Sequence, residues 1–154
     1  MDDHSEKKVS RFGSEALEKM VLRLKSTNDP RKRYEYVLWL AKKLPPMPMD
    51  LQTEEYLVKG CVSKVYVAAK FLEGRIKWTG ESDALITRGL LALLIEGLND
   101  LTPQQVCSID PSFIKETGLH ASLTPSRANG FLNILLNMKG QARQLALQAS
   151  PITK

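Results

Sequence analysis

Between Leu85 and Leu98 the chain carries Leu85, Ile86, Leu90, Leu91, Leu93, Leu94, Ile95 and Leu98. At helical pitch these residues lie almost all round the axis, and no other stretch restricts the fold so strongly. Such a helix has no face to give to water, so other elements must surround it. It falls short of the roughly 18 apolar residues from which a membrane span is read, and no apolar run of that length occurs elsewhere. Gly89 and Ala92 leave notches where a neighbour can approach closely. Ser82 reads as the N-cap, with Asp83 as a first-turn carboxylate that complements the helix dipole.

What surrounds this helix follows from punctuation and period. Ser14 caps a helix running to about Lys25, with Leu17, Met20, Val21 and Leu24 on one face. Asp29 as N-cap and Pro30 at the first helical position start a second helix, whose buried side is read as Tyr34, Val37, Leu38, Ala41 and Leu44. Pro45, Pro46 and Pro48 end it and predict a stiff extended segment from Met49 to Leu57. Strict alternation then marks a strand from Lys64 to Phe71, with Leu72-Glu73-Gly74 as a hairpin loop and Arg75–Thr79 as the return strand. Two strands alone are marginal in water, so Tyr56–Lys59 is expected as a third. Thr102-Pro103, Asp110-Pro111 and Thr124-Pro125 each open a further helix. The last is long, with Phe131, Leu132, Leu135, Met138, Ala142 and Leu145 as its apolar face. The expected fold is α+β: a small three-stranded antiparallel sheet with helices packed against it. Residues 1–13 read as a disordered polar tail, 14–148 as one domain and 149–154 as a C-terminal tail. The chain's 154 residues suit a single domain.

Few chemistries fit these residues. Two cysteines 46 positions apart form neither a disulfide framework nor a zinc spacing, which points to a reducing compartment. No metal or cofactor is implied, since GxGxxG, P-loop and HExxH motifs are all missing. The net charge of +5, with clusters at Arg31-Lys32-Arg33 and Lys42-Lys43, reads as solvated helix faces among interspersed acids. Nucleic acid is therefore not the expected partner, and neither is a membrane. A cysteine hydrolase needs a base within reach of the thiol. His4 lies in the tail, and His120 reads as a surface or capping residue.

Cys61 stands in Gly60-Cys61-Val62-Ser63, a turn at one end of the sheet. Gly60 allows backbone angles closed to other residues and leaves room for a partner's reactive atom, and Ser63 adds a hydroxyl. Cys107, in the apolar stretch Val106–Ile109, reads as packing. One chemistry needs a cysteine but neither base nor cofactor. A thiolate can attack the outer sulfur of another protein's persulfide, displace that protein's cysteine as a thiolate, carry the sulfur, and pass it on. The rival reading is a non-catalytic binding adaptor in which Cys61 is structural.

At these residues the chain resembles the SufE family of sulfur acceptors. The likeness rests on Gly60-Cys61-Val62-Ser63-Lys64-Val65-Tyr66, on Gly80-Glu81-Ser82-Asp83-Ala84 with Gly89–Leu94, and on Leu123-Thr124-Pro125-Ser126-Arg127-Ala128-Asn129-Gly130. Arg33-Tyr34-Glu35 adds a weaker match, and the whole runs in order from about residue 15 to 148. Val62, Lys64 and Tyr66 depart from the family's usual residues, and Lys64 brings a positive charge close to the cysteine. The resemblance implies a fold shared with cluster-assembly scaffolds. It implies that Cys61 accepts persulfide sulfur from a pyridoxal-phosphate cysteine desulfurase, stimulates it, and hands the sulfur to an iron–sulfur cluster scaffold. It implies that Asp83 holds the cysteine loop closed and that Arg127 lies near it, where a guanidinium would lower the thiol's pKa. The compartment implied is the cytoplasm of a bacterium, or the plastid stroma for a processed eukaryotic protein.

Overall fold

The computed structural model describes residues 12–149. Helices α1 (Glu15–Lys25) and α2 (Pro30–Lys43) precede a hairpin of β1 (Val65–Leu72) and β2 (Arg75–Ser82). Helix α3 (Leu85–Leu98) follows, then the short α4 (Pro103–Cys107) and α5 (Phe113–Glu116) and the long α6 (Pro125–Ala149). Helix α3 packs against α1, α2, β2 and α6, so the apolar stretch is indeed the centre of the molecule. Only Leu85 and Glu96 on it are exposed.

The helix starts follow the residues that predict them. Ser14 Oγ accepts from the Leu17 N–H, Asp29 from the Arg31 N–H with Pro30 next in line, and Thr102 forms a capping box with Gln105. Phe12, two residues ahead of that first cap, is buried, with its ring edge-on to Phe113. The expectation of a disordered start otherwise falls on residues 1–11, outside the described residues, as do 150–154.

Several expectations need correction. Among the described residues the sheet has two strands, not three. The segment expected as a third meets β1 only at the Leu57–Tyr66 bridge and through the Val58 N–H to the Val65 carbonyl. A helical turn at Glu54–Tyr56 ends just before it and the turn at Gly60 begins just after, so no length remains for a strand. The edge of β1 is satisfied otherwise. Gln141 on α6 donates to the Val67 carbonyl at 2.8 Å and accepts from the Ala69 N–H at 3.0 Å. The far edge of β2 is covered by a bridge from Ile76 to Leu101 and by Asn99, whose side chain accepts from the Trp78 N–H. Paired edges do not recruit further strands.

The proline-rich connection is likewise not extended, since it contains 3-10 turns at Met49–Leu51 and Glu54–Tyr56. Ser82 does not cap α3. It is the last residue of β2, Ala84 is the N-cap, and no side chain caps that end. On α2, Tyr34, expected on the buried side, is exposed, whereas Leu40 is buried. The hairpin closes through Glu73 and Gly74 alone, both at positive φ, the loop geometry that matches strand twist, while Leu72, expected in the loop, ends β1 opposite Arg75.

Helices α2 and α3 meet closely at Gly89. A Cβ on Gly89 would overlap the Val37 carbonyl oxygen, a backbone atom that cannot rotate away. Alanine is the better helix former by about 1 kcal/mol, but forced backbone separation in a packed core costs more. Gly89→Ala is therefore expected to destabilise the fold by about 2 kcal/mol or more net. Urea unfolding checks this, and a midpoint unchanged from the parent contradicts it.

Candidate functional site

The first turns of α6 and the start of α3 converge on the turn that joins the 56–59 segment to β1. Gly60 adopts φ +83, a left-handed angle that costs other residues energy. Its carbonyl accepts from Asn133 Nδ2 at 2.8 Å. The next residue, Cys61, is half-buried and packs on the edge of the core. Its Sγ lies 3.8 Å from the Gly130 carbonyl oxygen, the thiol's only polar contact among the described residues. A Cβ at Gly130 would stand 3.6 Å from that sulfur, in ordinary van der Waals contact, so the thiol rests directly against the α6 backbone there. Val62, the residue after it, is 67% exposed, so the turn's tip faces solvent while its sulfur faces inward.

Two polar ties hold the far side of the turn. Arg127 Nη1 donates to Ser63 Oγ and, at 2.7 Å, to Thr87 Oγ1. The second tie is reciprocal. The Asp83 carboxylate accepts from the Lys64 N–H at 3.0 Å, and the Asp83 N–H donates to the Lys64 carbonyl at 3.2 Å. Asp83 lies ahead of the cap of α3, so its carboxylate serves this tie and not the helix dipole.

Gly60, Cys61, Ser63, Asp83 and Arg127 are thus one cluster, although Arg127 lies 64 positions from Ser63. Three further residues complete it. Thr87 is a buried hydroxyl on the apolar α3, and that misfit is the sequence signal that marks it. Gly130 and Asn133 follow Arg127 at steps of three, on the same face of α6. Cys107 is apart from the cluster. It ends α4, packs on the core and approaches the Lys139 carbonyl at 3.9 Å. His120 sits on an exposed 3-10 turn and makes no hydrogen bond to Cys61. Among the described residues no His, Cys, Asp and Glu side chains gather as a metal site.

The electrostatics differ from the expectation for Arg127. Burial pushes the Cys61 thiol above its ordinary value, and no neighbouring charge offsets this. The guanidinium is engaged with two hydroxyls instead. The closed turn therefore holds a protonated, weakly nucleophilic thiol at neutral pH. Alkylation of Cys61 by iodoacetamide is expected to rise with pH along a curve displaced to the alkaline side of a free cysteine peptide. A displaced curve on the acidic side would contradict this.

Comparison with known proteins fits the cluster. Residues 18–142 match the SufE family, described as an "Fe-S metabolism associated domain". An uncharacterised SufE-like protein of Synechocystis sp. is 49% identical over 126 residues, covering 82% of this chain and 79% of that one. The "cysteine desulfuration protein SufE" of Plasmodium vivax is 41% identical over 73% of this chain and 46% of its own. The Arabidopsis thaliana "SufE-like protein 1, chloroplastic/mitochondrial" is 38% identical over 86% and 36% respectively. The chain thus spans less than half the length of the Plasmodium and Arabidopsis relatives. The solution structure of a hypothetical protein from Thermus thermophilus superposes with a TM-score of 0.76 at 26% identity, covering 87% of this chain and 98% of that one. No described helix is long and apolar enough to cross a membrane. The match over most of the chain, with the α+β architecture, identifies the chain as a member of the SufE family, whose domain is associated with iron–sulfur metabolism.

Proposed function

We propose that the chain is a sulfur carrier. Cys61 takes the outer sulfur of a persulfide held by a pyridoxal-phosphate cysteine desulfurase, speeds that enzyme's turnover, and passes the sulfur to an iron–sulfur cluster scaffold. The observation that carries this reading is the seat of Cys61. A half-buried thiol sits on a turn fastened by a few polar ties that a docking partner can exchange for its own.

The chemistry is a displacement at sulfur. The Cys61 thiol loses its proton as the turn leaves its seat and water or partner groups solvate the thiolate. The thiolate attacks the outer sulfur of the desulfurase persulfide. A new S–S bond forms to Cys61, the old S–S bond breaks, and the desulfurase cysteine leaves as a thiolate. No net oxidation occurs, and neither metal nor base on this chain is required. Closure of the turn then shelters the loaded sulfur beside Gly130. Asp83 and Arg127 set the balance between closed and offered states. The work is assigned to the cytoplasm of a bacterium, or to the plastid stroma if the chain is processed from a eukaryotic precursor.

Incubation with such a desulfurase and cysteine bearing radiolabelled sulfur tests the reading. The chain is expected to acquire label that dithiothreitol releases as sulfide, with Cys107→Ser labelled to the same extent. A chain that speeds the desulfurase yet never acquires label is a binding adaptor with a structural Cys61.

A further inference from the structure

The flanks of the α6 turns that hold the cysteine loop border a second feature. A groove of about 710 Å³ opens between α6 and the α5 region. Its walls are Ile114, Leu119, Leu123, Phe131 and Leu132, with Phe131 fully buried as the floor and Leu132 37% exposed at the lip. That volume is of the size that encloses a small organic ligand, roughly 300–1,000 Å³. Lys115 and His120 are the only titratable side chains lining it. Both are exposed, no carboxylate lines the groove, and among the described residues none pairs with either.

We infer that this groove binds a single-chain anionic amphiphile, an aliphatic tail along the apolar walls with a carboxylate at Lys115 and His120. Charge complementarity fixes the sign of the head group. The distribution of polar groups fixes the tail. Besides Lys115 and His120, only Ser112 and Asn129 offer polar side chains. An extended peptide backbone laid along these walls would find hydrogen-bond partners only at Ser112, Lys115, His120 and Asn129, whereas methylenes need none. The site is separate from Cys61. Arg127, Gly130 and Asn133 face the cysteine turn, while Ala128, Phe131 and Leu132 line the groove.

Decanoate, titrated below its micelle concentration into the full chain labelled with nitrogen-15, is the direct probe. Saturable shifts are expected at Leu119, Leu123, Ala128 and Leu132. Decyltrimethylammonium, with the same tail and the opposite charge, should bind at least about fivefold more weakly, and Lys115→Glu should weaken decanoate by about the same factor, the scale of an exposed ion pair lost and reversed. Leu132→Asp, at a half-open position, should lose binding without unfolding. Cys61→Ser should bind decanoate as the parent does, so the outcome is independent of sulfur carriage. Absence of saturable binding, equal binding of the two amphiphiles, or shifts that map elsewhere would each overturn the assignment.

Discussion

Cys61→Ser is expected to abolish the rise in sulfide release that the parent chain produces in a cysteine desulfurase assay, while the fold survives unchanged. The substitution exchanges sulfur for oxygen in a seat whose one polar contact is the Gly130 carbonyl at 3.8 Å. The seat is only half-buried, so water can solvate a serine hydroxyl there, and the exchange removes little volume from the edge of the core. Loss of stability should therefore stay within about 1 kcal/mol, the range of mild substitutions. The chemical loss is complete because an alkoxide is not available near neutral pH, and a hydroxyl cannot displace a thiolate from a persulfide. Cys107→Ser is the matched control, since Cys107 packs beneath Lys139, away from the cluster. If sulfide release rises as far with Cys61→Ser as with the parent, the carrier role is wrong and docking alone accounts for any stimulation.

Arg127→Ala is expected to speed iodoacetamide modification of Cys61 by about tenfold at neutral pH. The guanidinium donates to Ser63 and Thr87, tying the turn to α3. Without it the two hydroxyls keep only each other, at 3.4 Å. Hydrogen bonds to a charged group contribute about 1.5–3 kcal/mol when buried. The site is only partly buried, so a net loss near the bottom of that range is appropriate, which is about tenfold in the open population. The direction of the effect separates two roles. A guanidinium that lowered the thiol's pKa would, on removal, slow alkylation. A guanidinium that fastens the turn would, on removal, quicken it. The thiol's pKa is raised by burial with no offsetting charge, which favours quickening. Arg127→Lys keeps the charge but not the two-hydroxyl geometry, and its rate should fall between parent and alanine. Unchanged or slower alkylation in Arg127→Ala would remove Arg127 from the turn's fastening.

The parts of the fold that sequence makes legible are those governed by local chemistry. Ser14, Asp29 with Pro30, and Thr102 start helices because their side chains satisfy N–H groups within three residues. The all-round apolarity of residues 85–98 predicts their central place for the same reason, that burial follows from composition. Non-local satisfaction stays hidden. The edge of β1 is met by Gln141, 72 positions from Ala69, and a reading along the chain supplies a third strand instead. Ser82-Asp83 has a capping pattern, yet both residues are drawn into β2 and the Lys64 tie by the hairpin's register, which pairs Ser82 with Val65. The site shows the same division. Cys61 and Gly60 are conspicuous in the sequence and Thr87 stands out as a hydroxyl on an apolar helix, whereas Asn133 gains meaning only once α6 meets the turn. The thiol's raised pKa is a tertiary property too, since it comes from burial and not from any neighbour in the sequence.

The central claim is that Cys61 itself carries the sulfur. Peptide-resolved mass spectrometry of the chain, after incubation with a pyridoxal-phosphate cysteine desulfurase and cysteine and blocking with an alkylating reagent, tests it most directly. One added sulfur is expected on the peptide that contains Cys61 and none on the peptide that contains Cys107. Added sulfur on Cys107 alone, or on neither peptide while the desulfurase turns over, would contradict it.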